Sequence, residues 1–419
     1  MGRIRRWAPR VVGIVVTLAC LVGAGRLLWP QPGLDEQPGS TARQLAFVRD
    51  ALDEGSATAA QELFPEGYVF SNVLYGLAWV QAAHTDPRLH DAALRESHWA
   101  LARLESDEGK AIFSPRSQPS FGVFFAGWTN WLRGAILSLD DTDTAAVQRF
   151  STHSSEIAQA FAAAETPFLQ AYPGQAWPVD STVAIASLRL HDKLFGAKYT
   201  AVIDRWLEQA KSRLDPTTGL LPHQVSPSDG SLMTGARATS QTVIHRFLPE
   251  IDPAFAKSQY ARYRDQFLAY PAGFGPALRE YPKGVDGSGD VDSGPLIAGI
   301  SLSATVVAQG AARVNGDREL ASAIGAEGEL LGLPVTLPGS KRYAFGLMPI
   351  GDAFVVWSST ARLLTEPPTA PERDLRWWWR LPWLGVLIAI AIAPWAWTLS
   401  SLTRRRTPTT DRAEGIPIA

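Results

Sequence analysis

The sequence predicts an all-α fold, in which a closed double ring of helices is carried between a transmembrane helix at each end of the chain. Three observations favour this fold. Between residues 41 and 365, amphipathic helical segments alternate six times with segments that are apolar or small on nearly every side, signals for β-strands are few, and each terminus has a long apolar run flanked by arginines. A helix with one polar face lies at a surface, whereas a helix without one is covered on all sides. The alternation therefore predicts six outer and six inner helices.

The outer helices are predicted from amphipathic segments such as 198–214, where apolar residues recur every fourth position opposite charged ones. These segments are 41–54, 86–106, 144–164, 198–214, 252–269 and 317–330. The apolar segments that follow them are 69–83, 120–139, 179–194, 235–248, 293–314 and 345–364. Signals for strands are few, and short hairpins could lie in the long loops around 219–233 and 270–289. An open superhelix of helical pairs is the alternative, but it would need a repeated consensus, which the chain lacks.

Both ends of the chain are predicted to cross a membrane. Residues 381–402 contain no charged side chain, and this run is about as long as the roughly 20 residues that a spanning helix needs. Three arginines at 404–406 follow it, which by the positive-inside rule places the C-terminus in the cytoplasm. The N-terminal run 11–25 follows four arginines and is interpreted as a retained anchor, with a cleaved signal peptide as the alternative.

The chain is therefore expected to be a two-pass protein of the cell membrane, with both termini cytoplasmic and the main domain extracytoplasmic. Its predicted parts are an N-terminal anchor (1–30), a linker (31–40), the helical ring (41–365), a second linker (366–380), a transmembrane helix (381–403) and a cytoplasmic tail (404–419). The lipid bilayer is thus one expected partner. A net charge of -2 gives no reason to expect nucleic acid. The ring has no cysteine, which excludes a thiolate metal site, and no cofactor is predicted.

The segments that lead into the apolar helices are rich in Gly, Pro, aromatic and polar residues, whereas the segments that leave them are short. If the inner helices run parallel, the leading segments meet at one mouth of the ring. The ring resembles the six-hairpin toroid superfamily, the (α/α)6 barrels that include many glycoside hydrolases, uronate lyases, sugar epimerases and, more distantly, linalool dehydratase/isomerase proteins. The resemblance covers residues 41–364. It depends on the alternation of amphipathic and apolar helical segments, and on short sequences such as Asp215-Pro216-Thr217-Thr218-Gly219-Leu220 ahead of His223. It implies an (α/α)6 toroid with a carbohydrate substrate.

Carboxylates near the starts of the inner helices are the acid/base candidates. Hydrolysis of a glycosidic bond needs one group to protonate the leaving oxygen and a second to activate water or attack carbon. The catalytic candidates are Asp180, Glu280, Asp290 and Asp292. One of Glu280, Asp290 and Asp292 is expected to supply the proton, while Asp180 orients water from the opposite side. Helix capping is the alternative explanation for Asp180.

The glycine-rich run 286–292 holds two of these carboxylates. Asp292 is predicted to lie next to the start of a helix with Pro295 in its first turn, so that capping explains one carboxylate and leaves the other for a substrate hydroxyl or a cation. The oxygens of the run would suit calcium, but the run lacks the spacing and terminal Glu of an EF-hand loop. No metal site is predicted.

Other polar and aromatic residues near these starts are assigned to substrate binding. They are Glu66, Tyr172, Trp177, His223, Arg237, Gln241, Arg279, Tyr281 and Asp352. Arg237 and Arg279 could bind a carboxylate or sulfate of an acidic sugar, because guanidinium groups match planar anions. Ion pairs with Glu280 or Asp292 are the alternative for these arginines.

The sequence therefore predicts a membrane-anchored enzyme outside the cytoplasm, an inverting glycoside hydrolase of cell-surface glycans. Inversion is implied by the superfamily resemblance alone. Two alternatives stay open. One is a lyase or isomerase in the same pocket, in which His223 and Tyr281 move protons, and the other is a non-enzymatic binding or scaffold domain of the cell envelope.

Overall fold

A computed structural model describes residues 4–28, 38–364 and 377–403. They fall into two compact units, one drawn from both termini (Met1–Trp29 and Trp377–Ala419) and one from the middle of the chain (Pro30–Arg376). The helices in chain order are α1 (Ile4–Leu28), α2 (Pro38–Asp53), α3 (Ser56–Leu63), α4 (Gly67–Thr85), α5 (His90–Glu105), α6 (Asp107–Lys110), α7 (Gly122–Leu137), α8 (Thr144–Ala163), α9 (Pro178–Phe195), α10 (Thr200–Lys211), α11 (Ala238–Ile251), α12 (Pro253–Phe267), α13 (Leu302–Val314), α14 (Arg318–Leu331), α15 (Pro349–Ser359) and α16 (Arg380–Thr403).

The middle unit is a closed double ring. Six inner helices contact one another in sequence: α4 packs against α7, α7 against α9, α9 against α11, α11 against α13, α13 against α15, and α15 returns to α4. The amphipathic helices lie outside them, with α2 against α15 and α4, α5 against α4 and α7, α8 against α7 and α9, α10 against α9, α12 against α11, and α14 against α13. This is the (α/α)6 arrangement predicted from the alternation of helix types. The short helices α3 and α6 are additions to it.

Local sequence explains where the outer helices begin. Asp143, Asp252 and Asp317 each precede an outer helix and accept hydrogen bonds from backbone N–H groups of its first turn. Such caps satisfy donors that have no partner within the helix. Proline occupies the first position of α9, α12 and α15, where its fixed φ suits a helix and its missing N–H costs nothing.

Aromatic side chains from facing inner helices fill the middle of the ring. The ring of Trp128 lies edge-on to those of Phe70 (5.5 Å), Phe247 (5.2 Å) and Trp357 (5.8 Å). Phe70 also meets Phe354 at 5.4 Å, which joins the first inner helix to the last. Edge-on contacts suit the quadrupoles of the rings, and the rings bury a large apolar area. This aromatic cluster fills the centre of the ring, midway between its two ends.

Three two-stranded antiparallel hairpins accompany the helices. β1 (Gln224–Val225) pairs with β2 (Leu232–Thr234), and β3 (Leu268–Ala269) pairs with β4 (Ala277–Leu278), where hairpins were expected. β5 (Val335–Thr336) pairs with β6 (Lys341–Arg342), which was not expected.

The fifth inner helix begins later than predicted. α13 starts at Leu302 rather than near residue 293, and its N-cap is Ser301, whose hydroxyl accepts from the N–H of Ala304. Asp292 is thus not next to the helix start, and Pro295 is not in its first turn. Residues 293–301 form a loop instead, with Ala298 in the left-handed region at φ 51° and a backbone pairing between Ile297 and Ile300.

The terminal unit consists of α1 packed against α16. The Trp395 indole N–H donates to Thr17 Oγ1 at 2.9 Å, and Arg380 Nε donates to the carbonyl of Leu27 at 3.2 Å. The windows Arg10–Leu28 and Trp377–Ala396 are long and apolar enough to cross a bilayer. The predicted linkers and the cytoplasmic tail lie largely outside the described residues and stay predictions.

Candidate active site

The inner helices run parallel, and their N-terminal ends meet at one end of the ring, here called the mouth. Glu66 precedes α4, Asp180 lies in the first turn of α9, and Asp292 lies in the loop before α13. The charges of Glu66 and Asp292 nevertheless raise the pKa of Asp180, and the charge of Glu66 raises the pKa of Asp292. The C-terminal ends meet at the opposite end, where the side-chain amide of Gln81 of α4 lies 2.9 Å from the hydroxyl of Thr360 after α15. The expected convergence of the leading segments is therefore present in the fold.

Asp180 is a buried carboxylate of the mouth. It is the third residue of α9, is 7% exposed, and receives no hydrogen bond from the described part of the chain. Burial raises the pKa of this carboxyl well above its ordinary value, and the nearby charges of Glu66 and Asp292 raise it further. Capping does not account for Asp180, because the N-cap of α9 is Trp177 and no side chain caps that end.

Aromatic rings lie around Asp180. The Tyr172 hydroxyl donates to Glu66 Oε1 at 2.5 Å, and burial followed by the charges of Glu66 and Asp180 raises the pKa of the Tyr172 hydroxyl. Phe113 stacks on Tyr172 at 5.6 Å, and Trp177 lies edge-on to Tyr172 at 6.2 Å. Tyr172 and Trp177 are only partly buried, so this wall of the mouth has aromatic surface open to solvent.

Asp292 is the second carboxylate that receives no hydrogen bond from the described residues. It is exposed to solvent, but surrounding protein atoms desolvate its carboxyl and, together with the charges of Asp290 and Glu66, raise its pKa to about 6. Asp290 orients the backbone at this point, because its Oδ1 accepts from the N–H groups of Asp292 (3.1 Å) and Ser293 (3.0 Å).

Arg237, at the N-cap of α11, joins two of the predicted catalytic carboxylates to each other. Its Nη1 lies 2.6 Å from Asp290 Oδ2, and its Nε donates to Glu280 Oε1 at 2.8 Å. Burial opposes the ionisation of Asp290, but the hydrogen bonds from Arg237 and Ser293 hold its pKa below the ordinary value. The positive charge of Arg237 is therefore already matched by carboxylates within the protein.

Glu280 is fully buried behind Arg237. Its Oε1 also accepts from the Thr239 hydroxyl at 2.9 Å, while its Oε2 is buried and has no hydrogen-bond partner among the described residues. Burial raises the pKa of Glu280. Glu280 therefore does not reach the mouth directly, and it acts there through its ion pair with Arg237.

His223 and Gln241 are buried beside the start of α11. His223 Nδ1 lies 2.6 Å from the Ser240 hydroxyl, and burial together with the charge of Arg237 lowers the pKa of His223 to about 4, so the imidazole is neutral at pH 7. Gln241 is fully buried, and its Nε2 donates to the carbonyl of Leu221 at 2.7 Å.

Arg279 and Tyr281 hold the loop before α13 in place. Arg279 Nη2 donates to Asp286 Oδ1 and to the carbonyl of Val285, both at 2.9 Å. The Tyr281 hydroxyl donates to the carbonyl of Ser288 at 2.9 Å. Both side chains are thus bonded within one loop.

Asp352 lies apart from the other carboxylates of the mouth. It is almost fully buried in α15, and its Oδ1 accepts from the N–H of Tyr343 at 2.9 Å. Burial raises its pKa to about 7.

Two residues of this site were not predicted from the sequence. Phe113 stacks on Tyr172 from the loop before α7, and Ser240 bonds His223 from the first turn of α11. Phe113 has no motif around it, whereas Ser240 could have been suspected from its position one helical turn from Arg237.

Among the described residues, no group of three or more His, Cys, Asp or Glu side chains is arranged to hold a metal ion.

Comparison with known proteins identifies a similar solved structure but no matching family. No protein-family model matches the chain. A solved structure of a selenomethionine derivative of the GH76 alpha-mannanase BT2949 from Bacteroides thetaiotaomicron is similar, with a TM-score of 0.45 and 12% sequence identity over 70% of this chain and 84% of that chain.

Proposed function

We propose that the toroid is a glycoside hydrolase that acts on cell-surface glycans outside the cytoplasm. The observation that carries this proposal is the pair formed by Asp180 and Asp292. They come from different segments of the ring, face the same mouth and accept no hydrogen bond from described residues, and the charge of Asp292 raises the pKa of Asp180. Hydrolysis of a glycosidic bond requires one protonated and one ionised carboxyl on either side of the bond.

The two environments suggest which carboxyl has which role. Asp180 is the more buried, and burial raises its pKa well above the ordinary value, which favours the protonated form that supplies the proton to the leaving oxygen. Asp292 is open to solvent and has a pKa of about 6, so it is mainly ionised at pH 7 and can activate water. This is the reverse of the assignment that the sequence favoured. Inversion of the anomeric centre remains part of the proposal on the strength of the superfamily resemblance.

The remaining side chains support substrate binding near this pair. The partly exposed rings of Tyr172 and Trp177 offer apolar faces to a sugar, and Glu66 offers an acceptor to its hydroxyls. Arg237 is bonded to Glu280 and Asp290, so we do not assign it to an acidic sugar. We place Glu280 and Asp290 behind the reacting pair, as the groups that hold Arg237 and the backbone of Asp292.

Proton transfer by His223 and Tyr281, as in a lyase or isomerase, has less support. The Tyr281 hydroxyl donates to a carbonyl, and the His223 Nδ1 is bonded to Ser240. A purely structural domain would not need a buried carboxyl such as Asp180 that accepts no hydrogen bond from described residues, because such a group costs stability.

Product analysis of the full-length chain tests this proposal. In detergent, the wild type is expected to release sugars from one member of a panel of bacterial surface glycans, with inverted anomeric configuration by NMR. Asp180→Asn and Asp292→Asn should each lower kcat/KM by about 10²–10⁴-fold, since each removes one proton-transfer step. The wild-type kcat/KM should rise through pH 6 as Asp292 ionises.

The matched control is Asp141→Asn, which changes an exposed carboxylate in the loop after α7, at the opposite end of the ring. It should leave turnover unchanged. If the wild type and both active-site variants gave identical product profiles on every glycan, the hydrolase proposal would be wrong.

We further propose that α1 and α16 span the membrane, with both termini in the cytoplasm and the toroid outside. The apolar windows Arg10–Leu28 and Trp377–Ala396 and the arginines at 404–406 support this arrangement.

A further inference from the structure

One segment of the toroid near the mouth exposes several large apolar side chains. It consists of residues 331–348, which run from the last residue of α14 through the β5–β6 hairpin to the start of α15; we call it the apolar apron. The Ala344 N–H donates to the carbonyl of Gly332 at 2.7 Å, so the two ends of the apron are joined. Its exposed large apolar side chains are Leu331, Leu333, Leu337, Phe345, Leu347 and Met348.

The exposure of these side chains is pronounced. Leu347 is 83% exposed, Phe345 is 62% exposed and Met348 is 61% exposed. Leu333 (φ 47°) and Phe345 (φ 60°) also adopt left-handed backbone conformations, which disfavour bulky residues. Burying these side chains against a partner would offset both the contact with water and the backbone strain. Several large apolar side chains exposed within one segment indicate an interaction site.

The charges of the apron favour a lipid surface. Residues 331–348 contain no Asp or Glu, and they contain two basic residues, Lys341 and Arg342. Lys341 Nζ donates to Glu329 Oε1 at 2.5 Å, so these two charges offset each other and Arg342 gives the segment its basic character. Apolar side chains beside a basic residue match the boundary between acyl chains and anionic headgroups. The exposed loop before α13 differs, because it carries Asp286, Asp290 and Asp292.

The short segments that connect the toroid to the terminal helices also favour a lipid surface as the partner. Residues 29–37 and 365–376 join the toroid to the two candidate spanning helices. Fully extended, these segments reach about 30 and 40 Å. A domain of the size of residues 38–364 has a radius of gyration of about 20 Å. Tethers this short would keep the toroid within about 30 Å of the bilayer, which favours contact with it over contact with a distant partner.

We propose that the apolar apron inserts Phe345, Leu347 and Met348 into the outer surface of the membrane that the chain spans. The proposal depends on the proposed membrane anchoring but not on hydrolysis. It implies that the mouth opens next to the lipid headgroups, so that a glycan held on the membrane would reach the carboxylates first.

Site-specific fluorescence in the full-length chain tests this inference. In a Cys20→Ser background, Leu347→Cys is labelled with an environment-sensitive fluorophore, and the chain is reconstituted into phosphatidylcholine–phosphatidylglycerol vesicles. The matched control is Ala197→Cys, an exposed position in the loop after α9, at the opposite end of the ring. The label at position 347 should shift to the blue and be quenched several-fold more strongly by lipids that carry a spin label on the acyl chain.

Three other outcomes would each decide something different. Equal, water-like emission at both positions in vesicles that retain the chain after carbonate washing would overturn docking and leave anchoring intact. A blue shift at position 347 that increases with chain density but is insensitive to the lipid spin label would show a second copy on the apron, which also overturns the proposal. Loss of the chain on carbonate washing would overturn the anchoring on which it depends.

Discussion

Two aspartates near the starts of inner helices show how strongly surroundings decide the properties of one residue type. Asp180 is the third residue of α9, and Asp352 is the fourth residue of α15. Both are buried and have a raised pKa, but Asp352 accepts from the N–H of Tyr343, whereas Asp180 accepts no hydrogen bond from described residues. An unsatisfied buried carboxyl costs stability, so its retention suits a catalytic role better than a structural one.

Asp352 gives a prediction about stability that does not depend on function. Burial raises its pKa from 3.8 to about 7 in the folded chain, so the folded state binds the extra proton between those values. The free energy of unfolding contributed by this group should therefore fall as pH rises from about 4 to about 7. Asp352→Asn stays neutral, so its stability relative to the wild type should rise by on the order of 4 kcal/mol between pH 4 and pH 8.

Thermal unfolding of the full-length variant and wild type at both pH values measures this change. The comparison at pH 4 is the internal control, because Asp352 is then protonated in the folded chain. A difference in Tm that stayed constant with pH would show that the folded-state pKa of Asp352 is not raised.

At the scale of the elements, the start of α7 depends on close contact with the segment before α9. Val123 N–H donates to the carbonyl of Gln170 at 2.9 Å. Gly122 has φ 83°, and a Cβ there would lie 2.1 Å from the carbonyl oxygen of Ala171. Only glycine permits both the backbone conformation and this approach.

Gly122→Ala should therefore be strongly destabilising, with a loss of more than about 3 kcal/mol in the free energy of unfolding. Gly55→Ala is the matched control, because Gly55 has φ 90° but nothing within 4 Å of the added Cβ. It should cost about 1 kcal/mol, from backbone strain alone. Urea denaturation of both variants separates the two effects, and equal losses would contradict the close contact at Gly122.

The elements also show where sequence patterns are reliable. The twelve ring helices were predicted in order, with ends that differ mostly by a few residues. Such helices are recognisable because their buried residues recur along the sequence with the period of the α-helix. The start of α13 was missed, because residues 293–301 are apolar enough to resemble an inner helix. Backbone pairing of Arg279 with Ile300 holds them in a loop instead. A pairing between segments distant in the chain leaves no local signal.

At the scale of the whole molecule, closure of the ring creates the mouth. α15 packs back onto α4, and Phe354 contacts Phe70 at 5.4 Å. Closure brings Glu66 within electrostatic reach of Asp180 and Asp292, although more than 200 residues separate Glu66 from Asp292. An open stack of helical pairs would have kept these carboxylates apart.

The proposed topology makes a prediction for the intact cell. In a Cys20→Ser background, Ala197→Cys should react with a membrane-impermeant maleimide added to whole cells, because the toroid is outside. Thr410→Cys should react only after the membrane is permeabilised, because the arginines at 404–406 hold the tail inside. The opposite pattern of labelling would refute the proposed orientation.

The sequence by itself determined the helix content, the order of outer and inner helices, and the apolar ends, because hydrophobic periodicity and continuous apolar length are properties of the local chain. It also identified Asp180 and Asp292 as candidates from their positions near helix starts. Only the tertiary structure decided that Asp180 accepts no hydrogen bond from described residues, that Arg237 bonds Glu280 and Asp290, and that residues 331–348 expose large apolar side chains. These features depend on distances between segments far apart in the chain, and those distances exist only once the ring has closed.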